Sequence, residues 1–434
     1  MSRGELDINY NWVDGAESLE DYRPGGYHPI VIGDILHGRY RIVDKLGFGG
    51  YSTVWLARDA QLERYVAVKV GVATSTSDPE PSNSLLREIK SLRTLSKPLP
   101  LPASVRQHHG RDSIPRLLDE FKVHGPNGEH VCYTTDPARC NLSEVSFSRL
   151  FSLDVTRALV GALTLAVAYT HSQGYVHGDI HLQNVLVKLP SSFDQLSIEQ
   201  FQEKYGKPES VPISRQDGKS LPPNVPPEAV VPLYLGKKAA SFTLSDVRIL
   251  LSDFGETFSP SSDFRSGVDC NTPLAFRPPE ARFEPQTLLS YPSDIWSLAT
   301  AIWEIIGMKA IFSTDWVTED EMVSQQVDEL GPMPPSWWES WKERSQFFDE
   351  CGRPTEREVW PPIDQAFEDW VQKYRRKKGV GEFSKEETVA ILNLMRWMLA
   401  FRPTERPTAE EVLESEWMVK WVLPDFERSL QAQQ

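Results

Sequence analysis

Asp179, Asn184 and Asp253, in that order, offer the groups that phosphoryl transfer from ATP requires. Asp179 and Asn184 lie in Tyr175-Val-His-Gly-Asp-Ile-His-Leu-Gln-Asn184, and Asp253 opens an Asp-Phe-Gly triplet far downstream. One carboxylate, Asp179, would accept the proton of an attacking hydroxyl at hydrogen-bond distance. Asn184 and Asp253 supply hard oxygen ligands suited to Mg²⁺. An Asp-Phe-Gly triplet alone recurs by chance, so its weight comes from its place in the series. His177 reads as a histidine that organises backbone rather than one that moves protons.

Two further parts precede these. Gly47, Phe48, Gly49, Gly50, Tyr51, Ser52 and Val54 form a Gly-rich turn between two strand-like segments. Glycines there let backbone N–H groups approach phosphates with no Cβ in the way. Lys69 sits in Val66-Ala-Val-Lys69, a run otherwise suited to burial, and a buried ammonium needs a partner or a ligand. Glu88 on the next helix is the natural partner, and together they would hold the α- and β-phosphates. The alternative for Glu88 is a solvated helix face.

The elements that must position these groups change character along the chain. Tyr40–Leu46, Ser52–Ala57 and Tyr65–Val70 read as strands, and Ser84–Leu92 has apolar residues at helical spacing. Arg116–Val123 and His130–Thr135 are further strands, joined by a turn at Gly125-Pro-Asn-Gly128. Beyond them the pattern turns helical, at Phe151–His171, Asp294–Ile306, Glu387–Ala400 and Ala409–Leu413. Val185–Val187 and Val247–Leu251 look like two arms of one hairpin, yet a long stretch separates them. Hairpin loops hold about 2–5 residues, so most of 190–243 is an insertion. Its Pro, Ser and Lys content predicts a largely disordered spacer, with a small ordered subdomain as the alternative.

The chain has 434 residues, enough for a large core, and a net charge of −15, which argues against a nucleic-acid surface. Cys132, Cys140, Cys270 and Cys351 lack the paired short spacing of a zinc site or disulfide framework. No apolar run is read as long enough to cross a bilayer, and Met1–Asp7 has no signal-peptide core. The expectation is a soluble monomer of the cytoplasm or nucleus, with no membrane or nucleic-acid partner.

Taken in order, these motifs resemble the eukaryotic protein kinases from about Tyr40 to about Trp417. Gly25-Gly-Tyr-His-Pro29, Ile32-Gly-Asp34, Gly38-Arg-Tyr40, Ser52-Thr-Val-Trp-Leu56 and Phe121–Cys132 are similar to the SR-protein kinases in particular. That family also carries a long spacer in the interval of the insertion. The resemblance implies an α+β, bilobal fold: a small antiparallel sheet lobe with one helix over 36–136, and a mainly helical lobe over 137–421. An extension over 1–35 and a tail over 422–434 complete the chain. It further implies Leu46, Ala67 and Asp136 beside the nucleotide, and catalytic roles for Lys69, Glu88 and Asp179. Lys69, Asp179, Asn184 and Asp253 should converge on one nucleotide-and-magnesium pocket between the lobes. Glu280 should pair with Arg406, and Asp294 should bond to the backbone of the catalytic loop. The implied substrates are serines in basic, arginine-serine-rich proteins.

Several positions depart from the family pattern. Ser52 stands for the third glycine of the loop, His181 for the usual lysine two residues after the catalytic Asp, and Leu182 for a proline. Gly178 stands where regulated kinases have an arginine that grips an activation-loop phosphate. Activity should therefore not require phosphorylation of Ser259, Ser261, Ser262, Ser266 or Thr272. The loop His-Gly-Asp-Ile-His is similar to that of aminoglycoside- and choline-kinase-like phosphotransferases, so a small-molecule kinase stays open. So does a pseudokinase that holds ATP without turnover. The acidic run Asp315–Glu321, with Asp328 and Glu329, reads either as a dock for arginine-rich substrates or as a solvated helix.

Overall fold

A computed structural model describes residues 9–74, 80–98, 104–146, 150–307, 309–314 and 316–433. Met1–Asp7 and Asp315, singled out above, lie outside the described residues. The chain divides into two compact units, residues 1–96, 115–140 and 188–236 in the first and 97–114, 141–187 and 237–434 in the second.

The first unit is built on a six-stranded antiparallel sheet in the order β1-β2-β3-β4-β6-β5. Its strands are β1 (Ile35–Leu36), β2 (Tyr40–Gly49), β3 (Ser52–Asp59), β4 (Arg64–Ala73), β5 (Asp119–Gly125) and β6 (Gly128–Thr135). Alternate residues Val66, Val68 and Val70 face one cluster with Tyr40, Ile42, Trp55, Phe121 and Cys132, the two-residue period of a pleated strand. Helix α1 (Glu80–Leu95) buries Leu85, Ile89, Leu92 and Leu95, three or four residues apart, as a helix with one apolar stripe does. Gly71 lets it come close, because a Cβ there would lie 2.5 Å from Leu85 Cδ2.

The insertion is not a disordered spacer. Leu189, Phe193, Phe201 and Leu235 pack with Val43, Leu56 and Tyr65 of the sheet. A helix, Ile198–Tyr205, carries a capping box from Ser197 and Gln200, and Asp194 Oδ1 accepts the Tyr65 N–H at 2.8 Å. Residues 9–35, within the expected N-terminal extension, are also packed. Tyr10, Val13, Ala16, Leu19, Tyr22 and Tyr27 share a core with Ile213, Val225 and Ala229 of the insertion. Composition misled because the prolines and lysines dilute a few well-spaced aromatics. The proline-rich backbone is satisfied by bonds such as Leu233 N–H to Lys45 O at 2.7 Å and Ile213 N–H to Pro227 O at 3.0 Å.

The second unit is mainly helical. Helices α2 (Leu153–Ser172) and α3 (Tyr291–Gly307) are buried along most of their length. By length and composition α2 could cross a membrane, contrary to the sequence reading, but 83% of its apolar window is buried inside the protein. Val105–Asp112 packs on α2 in this unit rather than with the sheet, and Gly110 and Leu165 meet so closely that a Cβ on Gly110 would lie 2.3 Å from Leu165 O. Residues 422–433, within the expected C-terminal tail, pack on the second unit. Leu423–Ala432 is a helix that lies on α2 at Gly161, where a Cβ would be 3.1 Å from Phe426. Strands β7 (Val185–Lys188) and β8 (Ile249–Leu251) pair antiparallel with Val185 opposite Leu251, the hairpin expected from the sequence.

If the insertion is a structural part of the first unit, Phe201→Ala lowers stability by about 3–5 kcal/mol, the cost of emptying a buried aromatic site. Urea unfolding followed by tryptophan fluorescence reads this as a lower midpoint. A loose spacer would leave the midpoint where it is.

Candidate active site

In the first unit the glycines of the hairpin between β2 and β3 have no positive φ. Their value is clearance: a Cβ on Gly47, Gly49 or Gly50 would meet nothing within 4 Å. Phe48 and Tyr51 are exposed at the hairpin tip, Ser52 is buried, and Val54 is half-buried. The β2–β3 register slips once between Ile42 and Asp44 and again between Lys45 and Gly47, and each slip adds twist. Leu46, at the second slip, packs against the cluster that includes Phe193 and Phe201. Ala67 is buried opposite Leu56 and Thr135.

Lys69 Nζ lies 2.7 Å from Glu88 Oε2, with the glutamate buried and the lysine largely so. Glu88 is thus an ion-pair partner and not a solvated helix position. The Tyr133 ring lies 5.9 Å from the same ammonium. Asp136 gives both carboxylate oxygens to Arg116, at 2.7 and 2.6 Å. Its side chain is therefore committed to an ion pair, which leaves backbone groups for any nucleotide contact.

The second unit gathers Asp179, His181, Asn184 and the start of the Asp-Phe-Gly turn. Asn184 Nδ2 donates to Asp179 O at 2.9 Å and to Asp179 Oδ2 at 3.0 Å. His181 Nε2 is 3.3 Å from the same Oδ2. The same Nδ2 lies 3.1 Å from His181 Nε2, so the amide nitrogen faces this cluster and the amide oxygen faces away from it. Asp179 Oδ1 and His181 Nδ1 are buried with no partner among the described residues. An orphaned carboxylate oxygen in a folded protein calls for a ligand that donates a proton. Asp253 has φ 63°, a left-handed backbone rare for a residue with a side chain. The bond from Ser252 N–H to Asn184 O, 2.8 Å, brings Asp253 beside Asn184 at the open end of the β7–β8 hairpin.

Three buried groups fix this loop. Asp294 accepts from His171 Nε2 at 2.9 Å and from the N–H groups of His177 and Gly178 at 2.7 and 2.9 Å. Burial pushes the Asp294 carboxyl up, but those bonds and the nearby imidazoles win and hold it below the usual carboxylate range. His177 accepts from Asp179 N–H at Nδ1, 3.2 Å, and donates from Nε2 to Ser252 O at 3.1 Å. Burial lowers its pKa, so it bridges the two segments as a neutral ring. Phe254 packs against it with ring centres 4.7 Å apart. Glu280 and Arg406 form the expected buried bidentate pair, at 2.8 and 2.7 Å.

Among the described residues no three His, Cys, Asp or Glu side chains group as a metal site. A site built from one carboxylate and one amide falls outside that pattern and takes its remaining ligands from phosphate oxygens and water. The structure thus brings Asp179, His181, Asn184 and Asp253 together in one unit and Lys69, Glu88 and the glycine hairpin in the other. His181 is the residue whose role the sequence left unassigned. Its signal was the imidazole in place of a lysine.

The comparisons now bear on this geometry. A model of the protein kinase domain matches residues 40–201 and 238–418. The chain belongs to the protein kinase domain family. It is 25% identical over 435 residues to a serine/threonine protein kinase of Aspergillus fumigatus, covering 96% of this chain and 95% of that protein. It is 26% identical over 417 residues to serine/threonine-protein kinase SRPK of Physarum polycephalum, covering 93% and 91%. Over 175 residues it is 34% identical to human SRSF protein kinase 3, covering 39% and 29%. A kinase domain solved by crystallography superposes with a TM-score of 0.59 at 16% identity over 90% of this chain and 98% of that one. By family and relatives this is a kinase of the serine/threonine class, resembling the SR-protein kinases.

The segment after Asp-Phe-Gly is held without a phosphate. Arg265 pairs with Glu256 at 2.8 Å, Asn271 donates to the same carboxylate, and Thr272, buried, donates to Gly178 O at 2.6 Å. Gly178 has φ +81°, and a Cβ there would lie 2.8 Å from Glu256 O. A side chain at 178 would clash with Glu256 O, and the Arg265–Glu256 ion pair lies in the same region. Protein made without any co-expressed kinase, with Ser259, Ser261 and Ser262 changed to alanine, keeps full turnover, whereas Arg265→Ala loses it. Inactivity of the triple alanine variant in a folded state would contradict this. A second expectation concerns Glu304 on α3, which burial pushes up to about 7, with His181 opposing. A raised carboxyl stabilises the fold below its unfolded pKa and loses that contribution as pH rises through the folded value. Glu304→Gln therefore flattens the fall in unfolding free energy between about pH 4.5 and 7, by at most about 3 kcal/mol, as read by urea unfolding at each pH.

Proposed function

We propose that this kinase transfers the γ-phosphate of ATP to serines in arginine-serine-rich proteins. The observation that carries the transfer chemistry is the orphaned Asp179 Oδ1, whose sister oxygen takes bonds from Asn184 and stands beside His181. One oxygen orients the carboxylate and the other is left to receive a proton. As a substrate serine Oγ bonds to the γ-phosphorus, its proton passes to Oδ1 and the bond to the departing ADP breaks. Lys69, braced by Glu88, supplies positive charge for the nucleotide phosphates, and the bare glycines offer N–H groups to them. The Asn184 amide oxygen and the Asp253 carboxylate would hold Mg²⁺, which when bound neutralises phosphate charge.

The preference for arginine-rich substrates rests on the SR-kinase-like relatives and on the net charge of −15, which steers basic peptides inward. It does not rest on the acidic run, whose residues are mostly engaged. Asp320 takes Arg282 at 2.5 Å and the Trp341 N–H at 2.6 Å, Glu321 caps its own helix at Thr318, and Asp328 binds Arg357 bidentately. Glu329 is buried.

Incubation with Mg-ATP and an Arg-Ser repeat peptide should yield phosphoserine by mass spectrometry, and a lysine-for-arginine peptide far less. Asp179→Asn should cut turnover by about 10²–10⁴-fold, the usual share of a general base. No phosphate on either peptide from a folded protein would remove the transfer reading. Equal phosphate on both would remove only the arginine preference.

A further inference from the structure

The residues ahead of the sheet reach the glycine hairpin directly. Tyr27 Oη donates to Gly49 O at 2.8 Å, within the first unit. Gly49 is the last residue of β2 before the two-residue turn Gly50-Tyr51. In a trans peptide the carbonyl of one residue and the N–H of the next point opposite ways. Holding Gly49 O toward Tyr27 therefore turns the Gly50 N–H to the other side, and Gly50 itself lies in open space, since a Cβ on it would meet nothing within 4 Å.

Tyr27 can act as a strut because its own backbone is anchored to the sheet. Asn127, buried in the β5–β6 turn, donates from Nδ2 to Tyr27 O at 2.7 Å, and Ala73 of β4 donates to Gly26 O at 2.9 Å. Gly26 has no room for a side chain, since a Cβ would sit 1.8 Å from Asp21 O. The tyrosine ring is buried and set edge-on against Tyr22, with centres 5.7 Å apart. Burial, with the charges of Asp21 and Glu17, pushes its hydroxyl up to about 12, so it stays a donor at any physiological pH.

A second tie acts on the same strand. Lys45, two residues before Gly47, is fully buried and pairs with Glu17, which also accepts from Tyr22 Oη. The Lys45 carbonyl accepts Leu233 N–H of the insertion, and its ammonium faces the rings of Phe48 and Trp55, 5.4 and 5.2 Å away. A lysine with no exposure is thus held on three sides at the base of the glycine hairpin.

We propose that Tyr27 is a positioning residue for ATP, setting the peptide between Gly49 and Gly50 so that the hairpin is ordered before nucleotide arrives, with the Glu17–Lys45 pair anchoring the base of the same strand. This rests on the reading that the hairpin binds ATP phosphates. Residues 9–35 are then part of the nucleotide-binding apparatus rather than a lead-in to it.

Tyr27→Phe removes one oxygen and leaves the ring in place. The KM for ATP should rise about 3–10-fold, the worth of one buried hydrogen bond, with kcat within about twofold and the melting temperature little changed. Hydrogen–deuterium exchange on the full chain should speed up at residues 47–52 and stay constant in β3–β4. Glu17→Gln, a second variant of the same shape, should raise exchange across 44–49. If wild type binds no Mg-ATP in calorimetry, the underlying ATP reading fails. If wild type binds and both variants keep its KM and its exchange pattern, the strut is wrong and the ATP reading stands. A general loss of melting temperature with uniform exchange throughout the first unit would assign Tyr27 a structural role and overturn the proposal.

Discussion

One buried carboxylate governs the geometry on which everything chemical here depends. Asp294 turns the two N–H groups of His177 and Gly178 inward and ties them to α3, a helix with almost no solvent contact. Backbone donors locked this way cannot rotate, so Asp179 leaves the loop in a fixed direction. A buried charge with only part of its partners would cost several kcal/mol. The two backbone donors and His171 make it affordable, and they make the loop rigid in the same stroke.

Rigidity recurs around that centre by different means. His177 joins the loop to the strand ahead of Asp253 through two bonds on opposite ring nitrogens. Thr272 and the Arg265–Glu256 pair pin the following segment to Gly178 and to itself. The first unit follows the same plan, with Lys69 fixed by Glu88 and the glycine hairpin tied from outside the sheet. Each of these ties is made within the chain itself, by side chains and backbone already named.

Much of this could be read from residue types. Val66, Val68 and Val70 alternate so plainly, and 294–306 is so uniformly apolar, that β4 and α3 announce themselves at nearly their true limits. Asp179, Asn184 and Asp253 stand out in the sequence by residue type and spacing, and they lie in one unit of the fold. The insertion was not legible, because its partners are remote: Tyr10 bridges to Arg215, and Asn224 Nδ2 bonds to Tyr22 O, about half the chain away. Local composition contains no trace of such pairings. The acidic run was hard to read for a related reason. Charge counted along a sequence says nothing about which carboxylates have arginines waiting for them, as Asp320 and Asp328 do.

The path of the chain through its two units has a consequence for how the protein is made. The polypeptide passes from one unit to the other after residues 96, 114, 140, 187 and 236. The first unit therefore lacks part of its core until Gly236 has left the ribosome, more than half-way through 434 residues. Its sheet emerges early with Val43, Leu56 and Tyr65 uncovered, waiting for Phe193 and Phe201. No single cut can release either unit whole, and the sheet stays exposed until the later residues that cover it have been made.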